Sequence, residues 1–75
     1  MKNWNKYITS DPNISHGKMC FNGTRIMVST VLDNLADGMA YEEIIEDYPP
    51  LKTEHISAAI RYASELTQER ILALP

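Results

Sequence analysis

The chain reads as a mainly α protein: a three-helix domain of helix-turn-helix type, preceded by a short N-terminal strand and a β-hairpin. Three observations predict it. From Val28 to Ala63 the apolar residues recur at helical spacing. Tyr48-Pro49-Pro50 interrupts that spacing midway, because a proline ring disfavours helical backbone before it and removes amide donors. Ahead of the helices, Asn22-Gly23 separates two short stretches, the signature of a turn whose central residues need positive φ. Seventy-five residues bound this to one small domain, with 1–27 as strand and hairpin, 28–66 as the three-helix core and 67–75 as a C-terminal tail. A lone core of that size is marginal, and dimerisation is a common remedy.

Taken in order, Met1–Lys6 is polar apart from Trp4, which can cover the protein's own core or a seam between two copies. Tyr7-Ile8-Thr9 forms a strand, ended by the turn residues Ser10-Asp11-Pro12-Asn13. In the hairpin Lys18–Phe21 and Thr24–Met27 flank Asn22-Gly23. A two-residue type I′ loop sets Phe21 opposite Thr24, Cys20 opposite Arg25 and Met19 opposite Ile26. Alternation then turns Met19, Phe21, Thr24 and Ile26 to the helices, and Cys20 and Arg25 away. Two strands are barely stable alone. The third comes from Tyr7–Thr9, of the same chain or of a second copy.

Ser29 is the expected cap of the first helix, which buries Val28, Val31, Leu32, Leu35 and Ala36 and ends at Gly38 in a left-handed C-cap. The second helix, about Tyr41 to Asp47, buries Ile44, Ile45 and Tyr48 and exposes Glu42, Glu43, Glu46 and Asp47. Thr53 caps the third, with Glu54 in its first turn, where a carboxylate suits the helix dipole. That helix buries Ile56, Ala59, Ile60 and Ala63, and turns Glu54, Ser57, Ala58, Arg61 and Glu65 outward. In the tail, Leu66 and Leu72 fall off the buried stripe; they suit a protein partner, self-association, or a fold back over the core.

Composition excludes several classes. No apolar run approaches the ~20 residues of a membrane span, and the polar start does not resemble a signal sequence. One cysteine, Cys20, allows no internal disulfide and no cysteine-rich zinc site, which suits the reducing cytoplasm. The net charge of −3 and pI near 5.2 argue against a strong general nucleic-acid binder. Its distribution is uneven. Residues 1–30 carry Lys2, Lys6, Lys18 and Arg25 against Asp11, whereas residues 31–50 carry Asp33, Asp37, Glu42, Glu43, Glu46 and Asp47 with no base. Those halves suit two partners, or pair with each other or with solvent.

Catalysis is not expected. His16 and His55 share no motif spacing, adjacent acids on a helix lack the looped geometry of a calcium site, and Gly17, Gly23 and Gly38 form no phosphate loop. No cofactor and no metal are implied. For DNA the geometry exists and the chemistry is lean. After the proline corner, Lys52 and Thr53 suit phosphate at a helix N-terminus, and Ser57 and Arg61 suit base edges. Glu54 and Glu65 share that face and repel phosphate. Two copies, with Lys18 and Arg25 reaching flanking backbone, bind better than one.

The residues also carry a resemblance. Asp11-Pro12, Gly17-Lys18, Asn22-Gly23-Thr24-Arg25-Ile26, Leu35-Ala36-Asp37-Gly38, Glu42-Glu43-Ile44, Asp47-Tyr48-Pro49, Leu51-Lys52-Thr53 and Ala58-Ala59-Ile60-Arg61-Tyr62-Ala63, in that order, closely resemble the domain of unknown function 433 family over about residues 7–66. Met19 and Met27 stand where that family has proline, and Ala40 where a serine or threonine caps the second helix. The resemblance implies a small prokaryotic protein, often the VapB-like antitoxin of a type II toxin–antitoxin pair. Such a protein forms a homodimer, blocks a PIN-like ribonuclease toxin and binds its own operator DNA. On this reading Lys52, Thr53, Ser57, Arg61, Lys18 and Arg25 face DNA, while Leu66, Leu72, Glu42 and Glu46 face the toxin. The alternatives are an interaction module without DNA binding and an orphan homologue without its partner.

Overall fold

A computed structural model describes residues 4–68. Its elements run β1 (Ile8–Ser10), β2 (Met19–Phe21), α1 (Val28–Ala36), α2 (Tyr41–Asp47) and α3 (Thr53–Thr67), with single 3-10 turns at Trp4–Lys6 and Ser15–Gly17. Ile8, Phe21, Val28, Val31, Ile44, Leu51, Ile56, Ala58 and Ala59 form the core. Every strand, every helix and the proline corner contribute to it, so both strands depend on the helices for burial. Leu72 and the rest of the tail beyond Gln68 lie outside the described residues.

β1 and β2 pair antiparallel, Ile8 opposite Phe21 and Ser10 opposite Met19. The expected first strand therefore joins its own chain, displaced by one residue. The Asn-Gly turn differs from expectation. The Phe21 N–H donates to the Ile26 carbonyl at 3.0 Å and Cys20 bridges Met27, so the loop has four residues and the pairing is shifted by two. Around it Gly23 takes positive φ (77°) and Asn22 does not, and the Thr24 N–H reaches the Phe21 carbonyl at 3.0 Å, which is a type II arrangement. Thr24 supplies the reason. Its hydroxyl donates to the Phe21 carbonyl (2.9 Å) and accepts from the Ile26 N–H (3.0 Å). A slip of two leaves Met19, Phe21 and Ile26 on their expected face, and Met19 and Ile26 do pack on the core. Cys20 is opposite Met27 and Thr9, not Arg25, and it is buried. The connection after β1 covers it, since Asp11 and Ile14 line the same cavity of about 160 Å³.

The bridge to Cys20 holds Met27 extended (φ −76°, ψ 142°), so α1 starts directly from the strands with Met27 as N-cap. Ser29, the expected cap, lies inside the first turn. The far end follows expectation. Gly38 (φ 92°) donates to the Leu35 carbonyl and Met39 to the Asn34 carbonyl, both at 3.0 Å, the paired bonds of a Schellman motif. α2 keeps its expected bounds. Ala40 has no capping oxygen, and Glu43 supplies half a capping box by accepting the Ala40 N–H at 2.8 Å.

The prolines then turn the chain. Tyr48 takes φ −129° and ψ 76°, and the Leu51 N–H bonds the Tyr48 carbonyl at 2.9 Å, which folds Leu51 into the core. α3 begins at Thr53 with Lys52, not Thr53, as N-cap. His55 makes this work: its Nδ1 accepts the Lys52 N–H at 2.9 Å, while its ring stands edge-on to Tyr7 (5.3 Å) and Phe21 (5.7 Å). One side chain thus caps the helix and fixes it to the strands.

α3 is rolled about its axis relative to the expected face. Ala58, expected outside, is 0% exposed, and Ile60, expected inside, is 40% exposed. The N-terminal turn packs on the same helix. Trp4 stands edge-on to Tyr62 at 5.0 Å and donates its indole N–H to Glu65 Oε1 at 2.8 Å, covering that flank of the helix.

Candidate nucleic-acid interface

Two helices and the corner between them place the candidate residues. Lys52 and Thr53 are exposed where α3 begins, and the helix axis carries them about 12 Å from Arg61. Ser57 and Arg61, four residues apart, lie half-buried on one flank. With Tyr41 of α2, Ile60 and Ser64 they line an open depression of about 380 Å³. The roll of α3 matters here. Buried Ala58 cannot meet a ligand, and the Glu65 carboxylate, which shares Arg61's side of the helix in sequence, is engaged by Trp4. Glu54 stays exposed beside the first turn.

The other cations divide. Arg25 is exposed in the loop after Phe21, and because the Phe21 ring meets His55 that loop lies toward the start of α3. Lys18 belongs to a different surface. With Gly17, Met19, Val28, Ser29, Leu32, Tyr62 and Leu66 it lines a groove of about 490 Å³ between β2, α1 and the end of α3. At 100° per residue Ser57 is about 140–180° and Arg61 about 100–140° from Tyr62 and Leu66, so the two surfaces face different ways on one helix. Lys18 is therefore not gathered with Lys52, Thr53, Ser57 and Arg61.

Leu66 is 65% exposed, and Glu42 and Glu46 project from α2 into solvent. Among the described residues no group of three or more His, Cys, Asp or Glu could hold a metal ion, and no helix is long and apolar enough to cross a membrane. Sequence reasoning missed Tyr41 and Ser64. The seven-residue spacing from Ser57 to Ser64 was a usable signal; Tyr41 had none, because its approach to α3 depends on the corner angle.

A family model described as protein of unknown function (DUF433) matches residues 8–63. No curated protein and no solved structure matches the chain.

Proposed function

The chain belongs to the DUF433 family, and from that premise we propose that it is a non-enzymatic, VapB-like antitoxin: a dimeric, operator-binding protein that neutralises a PIN-like ribonuclease toxin. The proline corner supports the DNA half of this reading. It separates α2 from α3 as a helix-turn-helix requires, and leaves Lys52 and Thr53 exposed at the helix start with Ser57 and Arg61 on one flank behind them. Two such helices, one per protomer, supply the phosphate contacts that one lean module lacks. Lys52 and Thr53 take phosphate at the helix start, and Arg25 reaches flanking backbone. The toxin takes Leu66 and the acidic side of α2, which leave the DNA flank unobstructed.

A gel-shift titration with the protein's own upstream promoter tests it. Specific binding is expected at low salt, and it should vanish in Lys52→Ala combined with Arg61→Ala. Binding that survives the double substitution removes this contact face. The second reading, an interaction module without DNA function, is favoured by the uncompensated acids of residues 31–50 and by the exposure of Leu66. Copurification of a partner together with no salt-sensitive DNA binding selects it.

A further inference from the structure

The depression between α2 and α3 gathers more chemistry than Ser57 and Arg61. Tyr41, Ser57 and Ser64 line it together with Arg61, and Ile60 adds one aliphatic wall. Ser64 Oγ already accepts the Gln68 side-chain amide at 3.4 Å, which leaves its own O–H to donate elsewhere. The site thus offers one cation and three O–H donors with no carboxylate in its lining, while Glu65 is bound to Trp4. That is the donor set of an anion seat, with an apolar contact beside it.

The shape narrows the ligand. A side chain that reads a base edge must project beyond the surface into the major groove. Arg61 is half-buried in a concavity that α2 walls on one side. A convex sugar–phosphate backbone fits such a concavity, with phosphate oxygens on Arg61, Tyr41 and the serines and deoxyribose on Ile60. In helix-turn-helix docking the helix before the recognition helix crosses the backbone, and Tyr41 opens that helix here. We propose that Tyr41, Ser57, Arg61 and Ser64 form a seat for a short stretch of nucleic-acid backbone, with Arg61 on one phosphate and the two serines, about 10.5 Å apart along the helix, on neighbouring backbone groups, so that Arg61 positions the duplex and does not read sequence. This inference rests on the DNA-binding reading and changes the role that the sequence alone suggests for Arg61 and Ser57.

A phosphate contact and a base contact leave different traces. Fluorescence anisotropy against the upstream promoter and against scrambled duplexes, across a range of salt, should show Arg61→Ala weakening both by a similar factor, about tenfold. The slope of log affinity against log salt should fall by about one. Tyr41→Phe, which keeps the ring and removes the hydroxyl, should weaken both by a smaller common factor. Loss confined to the promoter, or relaxed preference at one base pair with the salt slope unchanged, makes Arg61 a base reader and overturns the seat while the DNA reading stands.

An independent arm needs no DNA. Titration of the ¹⁵N-labelled protein with inorganic phosphate at constant ionic strength should move the amide signals around Tyr41, Ser57, Arg61 and Ser64, and Arg61→Ala should abolish the response. If those shifts appear although no duplex binds, an anion site is present but its assignment to nucleic acid falls together with the operator reading. No localised shift at millimolar phosphate overturns the seat.

Discussion

Along α3 the flank turned to α2 carries Ser57, Arg61 and Ser64, whereas the flank turned to β2 and α1 carries Tyr62 and Leu66 beside Met19 and Leu32. The first is polar, with one cation and two hydroxyls, and a third hydroxyl faces it from Tyr41 of α2; the second is mainly apolar, with Lys18 at its rim. Both depend on how far the helix is rolled. Trp4 packs on Tyr62 and binds Glu65, so a residue near the N-terminus covers one side of a distant helix.

The most severe way to break the distinction is to remove what both flanks share. Ile56 is fully buried under α3, and Ile56→Ala should cost about 2–5 kcal/mol, read as a lower urea midpoint. DNA binding and partner binding should then fail together. His55→Ala acts at one end. It removes the acceptor of the Lys52 N–H and the edge contacts to Tyr7 and Phe21, which should cost about 1–2 kcal/mol. Because the start of α3 then frays, promoter affinity measured at a temperature where the fold persists should fall as well. Trp4→Phe sharpens the comparison from the other side. Losing the indole bond to Glu65 should cost about 1 kcal/mol, or roughly 4–8 °C in thermal melting.

The same contacts explain what the sequence could disclose. The α2 bounds and the Gly38 cap were legible because proline sterics and a left-handed glycine act within a few residues. The caps at Met27 and Lys52 were not. Ser29 and Thr53 are the better capping side chains, but a strand bridge holds Met27 extended and His55 binds the Lys52 amide. The core-facing residues of the expected hairpin were legible, but Thr24–Met27 forms a single bridge at Met27 and no strand, since the Thr24 hydroxyl competes with the two-residue turn that Asn-Gly favours. On α3, spacing alone placed Ile60 inside and Ala58 outside; the packing reverses both, and Trp4, more than fifty residues away, covers the Tyr62 side of the helix. Of the candidate site, Lys52, Thr53, Ser57 and Arg61 could be found by helical spacing, whereas the separation of Lys18 and the approach of Tyr41 follow from packing between elements.

Two milder substitutions test the flanks one at a time. Ala40→Ser supplies the missing half of the α2 capping box and should raise stability by about 0.5–1 kcal/mol in thermal denaturation, without changing either interaction. Leu66→Ser should leave stability within about 0.5 kcal/mol, because the side chain is largely in solvent. Promoter affinity should be unaltered while toxin binding, followed by calorimetry, is lost.

Amide-signal mapping of the ¹⁵N-labelled protein on addition of its promoter duplex tests the separation of flanks most directly. Shifts are expected at Lys52, Thr53, Ser57, Arg61, Ser64 and Tyr41, with the signals of Met19, Leu32, Tyr62 and Leu66 unmoved. Shifts centred on Tyr62 and Leu66, with Ser57 and Arg61 silent, contradict it.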